Sequence, residues 1–106
     1  MIDIIHVMKT SAPSLLPILR SDLQGEVMAL LFSHPEQQYT VSQIADATRA
    51  SLPTVSREVN RLEQSGLVTV QNVGRTRMVQ AKVDNPVGQA MRQLILVTYG
   101  PVPVLR

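Results

Sequence analysis

Residues 40–70 read TVSQIADATRASLPTVSREVNRLEQSGLVTV, and this stretch predicts two helices joined by a short turn. Thr40 and Gln43 stand at capping-box spacing, so each side chain can satisfy a backbone N–H that the first helical turn leaves free. The helix they open covers 40–48, with Val41, Ile44, Ala45 and Thr48 along its apolar stripe. Arg49-Ala50-Ser51 then makes a three-residue turn. Ser51 caps a second helix, 51–65, and Pro53 falls in its first turn, where a missing amide hydrogen costs nothing. Val55, Val59 and Leu62 recur at helical spacing and predict its buried face. Gly66 supplies the left-handed residue that commonly ends a helix.

On the N-terminal side, Ser21 and Gln24 form another capping-box pair, opening a helix over 21–33. Its stripe is Leu23, Val27, Leu30 and Leu31, and Pro35 stops it. Residues 1–19 read as a lead-in interrupted by Pro13 and Pro17, with a short strand around Leu15–Leu19. On the C-terminal side the period changes from helical to alternating. Residues 67–83 predict a hairpin whose tip is Asn72-Val73-Gly74-Arg75-Thr76. Asp84-Asn85-Pro86 then starts a helix over 86–98, with Val87, Ala90, Met91, Leu94 and Ile95 as its inner face, and Tyr99-Gly100-Pro101 ends it. The order helix, helix, helix, hairpin, helix defines the expected class. It is mostly α with a β-hairpin wing (α+β): a winged helix-turn-helix forming one domain over residues 1–106.

Composition narrows the function classes. The chain has no cysteine, which excludes disulfides, thiolate zinc sites and thiol catalysis. No apolar run approaches the ~20 residues that cross a bilayer, and the N-terminus lacks the pattern of a signal peptide. A cytoplasmic, nucleoid-associated protein with no membrane partner is expected. His6 and His34 are isolated, so no metal site is expected, and no cofactor. No nucleophile triad, phosphate-cradling glycine loop or carboxylate pair suggests an enzyme.

The net charge is only +2, but its distribution is uneven. Residues 1–40 carry two basic against four acidic side chains, whereas 49–82 carry six basic against two acidic. Positive charge on one segment is the footprint expected of a polyanion-binding face, although a solvated basic surface gives the same count. Position favours the first reading. With Val55, Val59 and Leu62 inward, the other side of helix 51–65 carries Pro53, Arg57, Asn60 and Gln64, with Thr54 and Arg61 toward one edge. Arginine can hold guanine through O6 and N7, and asparagine can hold adenine through N6 and N7. Glu58 and Glu63 are expected toward the flanks of the buried stripe. Arg57 and Arg61 form a like-charge pair at i, i+4, which a merely structural helix would gain by avoiding. Arg57 and Asn60 are therefore the expected base readers, with Arg61 shared between base and phosphate. Thr40 and Ser51 are first of all caps, but the helix N-termini they mark can also bind phosphate. Thr54 and Ser56 can add contacts, or Ser56 can sit at the helix–helix boundary. Arg75, Thr76 and Arg77 on the wing suit phosphates or a narrow minor groove, or are simply solvated.

The runs Thr40–Thr48 and Ser51–Val68 resemble the ArsR/MarR-like winged-helix transcriptional regulators over about residues 20–98. The resemblance implies a prokaryotic, sequence-specific regulator of double-stranded DNA. The helix from Ser51 would enter the major groove, and the wing would approach the backbone or minor groove. It also implies a homodimer built through terminal elements, with half-sites about 10 bp apart on the DNA. Met91, Leu94, Ile95 and Val97 are the expected dimer contacts, although packing onto the first helix would use the same residues. Gly74-Arg-Thr-Arg, Asp84-Asn-Pro and Leu94–Pro101 further resemble winged-helix domains that precede a small nucleotidyltransferase domain. That leaves two readings, a stand-alone regulator or a piece of a longer chain with such a domain downstream, the piece being slightly favoured. In the second, the domain would serve protein interaction or targeting within a larger protein.

Overall fold

A computed structural model describes residues 22–100. The Ser21 cap, the lead-in 1–19 and the strand expected at Leu15–Leu19 lie outside the described residues. The elements run α1 (Asp22–Ser33), β1 (Tyr39–Thr40), α2 (Val41–Thr48), α3 (Leu52–Gln64), β2 (Val68–Val73), β3 (Thr76–Ala81) and α4 (Pro86–Tyr99). Both caps expected around the turn are present. The Thr40 hydroxyl accepts from the Gln43 amide at 3.0 Å, and Gln43 Oε1 accepts from the Thr40 amide at 2.9 Å. Ser51 Oγ accepts from the Thr54 amide at 3.3 Å. At the turn Arg49 adopts a left-handed backbone, φ 58°, and its N–H returns to the Ala45 and Asp46 carbonyls.

α1 is buried nearly all round, from Gln24 to Ser33, with only Glu26 exposed in that span. Its four-residue stripe understated this role. α1 is the central strut, packed on α4, α2 and β3. Val27, Leu31, Phe32, Ile44, Val55, Val59, Val79 and Ile95 close the core around it, none leaving measurable surface. Burying each such side chain contributes roughly 1.5–3 kcal/mol, so the α3 stripe alone anchors that helix firmly.

The sheet has three antiparallel strands in the order β1-β3-β2. The third strand was not foreseen, because two residues give no alternation to detect. Tyr39 pairs with Val79 and Thr40 with Met78, so the residue that caps α2 is also held in register on the wing. The turn of the wing is tighter than the five-residue tip expected. Asn72 pairs with Arg77 and Val73 with Thr76, leaving only Gly74-Arg75 at the turn. Gly74 has φ 63° and Arg75 a negative φ, the φ pattern of a type II′ turn with glycine first.

α4 starts as expected, with Asn85 Oδ1 accepting from the Gly88 amide at 2.8 Å. Its rotation corrects the expected inner face. The buried positions are Gly88, Ile95 and Thr98, with Met91 partly buried against the core, whereas Val87, Ala90 and Leu94 face outward. Gly88 is the reason. A Cβ there would fall on the Lys82 carbonyl oxygen, with Val83 Cα 3.0 Å away, so the helix touches the chain before it through its one bare backbone position. Setting Gly88 inward turns Val87, Leu94 and Val97 to solvent. Ile95, expected as a dimer contact, is therefore a core residue with no exposed surface. Met91 leans the same way, and only Leu94 and Val97 of the four expected contacts are exposed.

Candidate nucleic-acid interface

The fold brings three separate pieces of sequence to one side: the N-terminus of α2, the first turns of α3 and the wing turn. They enclose an open cleft of about 290 Å³ lined by Thr40, Val41, Ser42, Leu52, Ser56, Arg75, Thr76 and Arg77. β1 makes this possible, since its pairing to β3 sets the start of α2 beside the wing arginines. The α2 start bordering the cleft offers backbone N–H groups and the positive end of the helix dipole, and the two arginines add full charges. An anionic group is what such a cleft favours. Ser42 and Leu52 were not among the expected site residues. Ser42 sits in the first turn after a cap, where amides are free, and that signal was available. Leu52 is half-exposed although apolar, and an apolar side chain carries no signal for an anion-binding cleft.

Along α3, Pro53, Arg57, Asn60, Arg61 and Gln64 are exposed, and Thr54 and Ser56 are half-buried. Several of these groups engage one another. Ser51 Oγ and Thr54 Oγ1 lie 2.7 Å apart, and Arg57 donates to Thr54 Oγ1 at 3.4 Å. Ser56 stands at the boundary with the wing, where it accepts from Arg77 Nη1 at 3.1 Å. Asn60 Oδ1 accepts from Arg77 Nη2 at 2.8 Å. Arg77 is half-buried and grips α3, unlike Arg75 and Thr76, which are exposed at the turn.

Glu58 departs from its expected place. Its side chain is buried, 5 % exposed, and Oε2 accepts from Gln24 Nε2 of α1 at 2.7 Å. Gln24 thus reaches across to α3, and its expected cap with Ser21 lies outside the described residues. Arg61 lies 3.5 Å from Glu58 Oε1, so a carboxylate offsets part of the charge on one member of the like-charge pair Arg57–Arg61. Glu63 is exposed, as its flank position predicts.

Two capped helices in succession, the second with a polar outer face, and an adjoining three-stranded wing define a winged helix-turn-helix domain. Residues 21–77 match the MarR family, and the chain belongs to that family. Solved structures agree on the fold. MepR, a transcription regulator of the Staphylococcus aureus multidrug efflux pump MepA, superposes with a TM-score of 0.59 at 22 % identity, over 71 % of this chain and 54 % of MepR. HlyU from Vibrio cholerae gives 0.62 at 17 % identity, over 77 % of this chain and 84 % of HlyU. The transcriptional regulator BldR from Sulfolobus solfataricus gives 0.60 at 19 % identity, over 78 % and 57 %. The chain thus spans about half the length of MepR and BldR. A search of curated proteins returns no match. Neither the family nor these structures supports the nucleotidyltransferase-linked reading. Among the described residues, no helix is long and apolar enough to cross a membrane.

Proposed function

We propose that the protein is a cytoplasmic, sequence-specific transcription regulator that binds double-stranded DNA as a homodimer. α3 would enter the major groove, and the wing turn would lie on the backbone or in the minor groove. The observation that carries this reading is that the exposed α3 face with Arg57, Asn60 and Gln64 is tied through Asn60 to wing Arg77, which lines one cleft with Arg75 and the capped start of α2. Phosphates would fix the domain through Arg75, Thr76 and the α2 N-terminus, and base edges would be read from Arg57, Asn60 and Gln64. Arg61, drawn to Glu58, would serve phosphate rather than base. Membership of the MarR family and its likeness to solved regulators point the same way.

The dimer contact would run along the outward stripe of α4. Val87 is 66 % exposed, Leu94 40 % and Val97 73 %, at spacings of seven and three residues that keep them on one helix face. An apolar groove lined by Pro86, Val87, Ala90, Met91 and Leu94 adjoins them.

Selection of bound genomic fragments by the wild type and by Arg57→Ala tests the reading. A motif shared among wild-type fragments and degraded for the variant is expected. Fragments without a common motif would refute sequence-specific readout. Arg75→Ala should weaken binding on every sequence and flatten the dependence of affinity on salt by about one counterion.

A further inference from the structure

We propose that Arg77 is a positioning residue that decides which bases Asn60 accepts, rather than a phosphate contact. The inference rests on the reading of α3 as a DNA-reading helix and specifies what that helix reads. The guanidinium can only donate hydrogen bonds, so the Asn60 atom facing it at 2.8 Å is the amide oxygen. The same guanidinium also donates to Ser56 Oγ at 3.1 Å, one turn earlier on α3. This two-pronged grip comes from a half-buried side chain on the paired strand β3, at Asn72↔Arg77. The amide of Asn60 is therefore held in one of its two orientations before any ligand arrives.

The consequence follows from amide geometry. Oxygen and nitrogen occupy opposite arms of Cγ, so fixing the oxygen toward the wing turns Nδ2 away from it. Asn60 then presents donors to a base edge. Bidentate pairing with adenine needs oxygen and nitrogen free side by side on the same edge; the oxygen has two lone pairs, and the proposal is that Arg77 occupies the one on that edge. A donor-only Asn60 is satisfied by the acceptors guanine N7 and O6, adenine N7 or thymine O4. It meets a like donor at the N4 amino group of cytosine. The adenine-specific pairing expected from residue type alone is replaced by a preference for any acceptor and a rejection of cytosine.

The experiment is selection of high-affinity duplexes from a randomised library by the wild type, Asn60→Ala, Arg77→Lys, Arg77→Ala and Ser56→Ala. Arg77→Lys keeps the positive charge, so a phosphate contact survives, but an ammonium cannot fork to two acceptors in the same plane. The wild type should show one motif position that excludes cytosine and tolerates the other bases. Asn60→Ala should erase the preference there. Arg77→Lys should shift that same position toward adenine, by about tenfold over the other bases, because the freed amide can pair bidentately. Ser56→Ala should shift it in the same direction to a smaller extent. A purely structural role for Arg77 would not change the base preferred at one position. If Arg77→Lys and Arg77→Ala both leave the motif as it was, the proposal is overturned, and an even loss of affinity in Arg77→Ala that Arg77→Lys does not share marks Arg77 as a phosphate ligand. A wild-type position with strict adenine preference overturns it as well. A wild type with no motif overturns DNA readout itself, a different failure from a motif that Arg77 variants do not alter.

Discussion

Removing the tie between Gln24 and Glu58 should cost more than its two atoms suggest. Gln24 of α1 and Glu58 of α3 are 9 % and 4 % exposed, and their hydrogen bond is 2.7 Å long. A hydrogen bond to a charged group contributes about 1.5–3 kcal/mol net, and stripping the donor leaves a carboxylate out of water with less to compensate it. Arg61, 3.5 Å away and 45 % exposed, offsets only a part, since exposed partners yield roughly 0–1 kcal/mol. Gln24→Leu alone is therefore expected to lower stability by about 2–3 kcal/mol. The double variant Gln24→Leu/Glu58→Leu removes the charge along with its donor and should lose less than the sum of the single changes. A coupling energy of about 1.5–3 kcal/mol is expected from the cycle. Urea unfolding at one fixed protein concentration, with equal slopes across the four proteins, measures it. Additivity within about 0.5 kcal/mol would refute the argument that the carboxylate depends on Gln24.

Three further outcomes can be checked. Gly88→Ala should destabilise by about 1–3 kcal/mol, since the new Cβ meets backbone of Lys82 and Val83 that cannot step aside; an unchanged melting temperature would mean that α4 is not held by this contact. Leu94→Glu together with Val97→Glu should dissociate the proposed dimer at tens of micromolar while leaving the circular dichroism spectrum intact, and sedimentation unchanged from wild type would remove α4 as the contact. Burial, and then the carboxylates of Asp22 and Glu26, hold the Tyr99 phenol above its ordinary 10.0. The neutral phenol is the favoured form in the fold, so its contribution is intact below pH 10.0 and is lost as pH rises through the higher folded value. An NMR titration of the Tyr99 ring with a midpoint at or below 10.0 would contradict this placement.

What the sequence determined by itself was whatever depends on neighbours within a few residues. Thr40–Gln43, Ser51, Asn85 and Gly66 act on their own helical turns, and Val55, Val59 and Leu62 share a face by spacing alone. The element order, and with it the winged-helix class, was therefore legible. So was the outward set Pro53, Arg57, Asn60 and Gln64, which follows once the buried stripe is known. Contacts across the fold had no such signal. Gln24 and Glu58 lie 34 residues apart, and Arg77 lies 17 from Asn60, so only packing of α1 and the wing against α3 made them partners. β1 is too short to show an alternation and exists because β3 offers it an edge. The rotation of α4 was misread for a related reason. Val87, Ala90 and Leu94 are as periodic as any core stripe, and hydrophobic spacing cannot say which of two apolar faces goes inward. Tertiary structure decided it, because only the bare backbone of Gly88 can approach the Lys82 carbonyl, and that contact fixes which face of α4 meets the core.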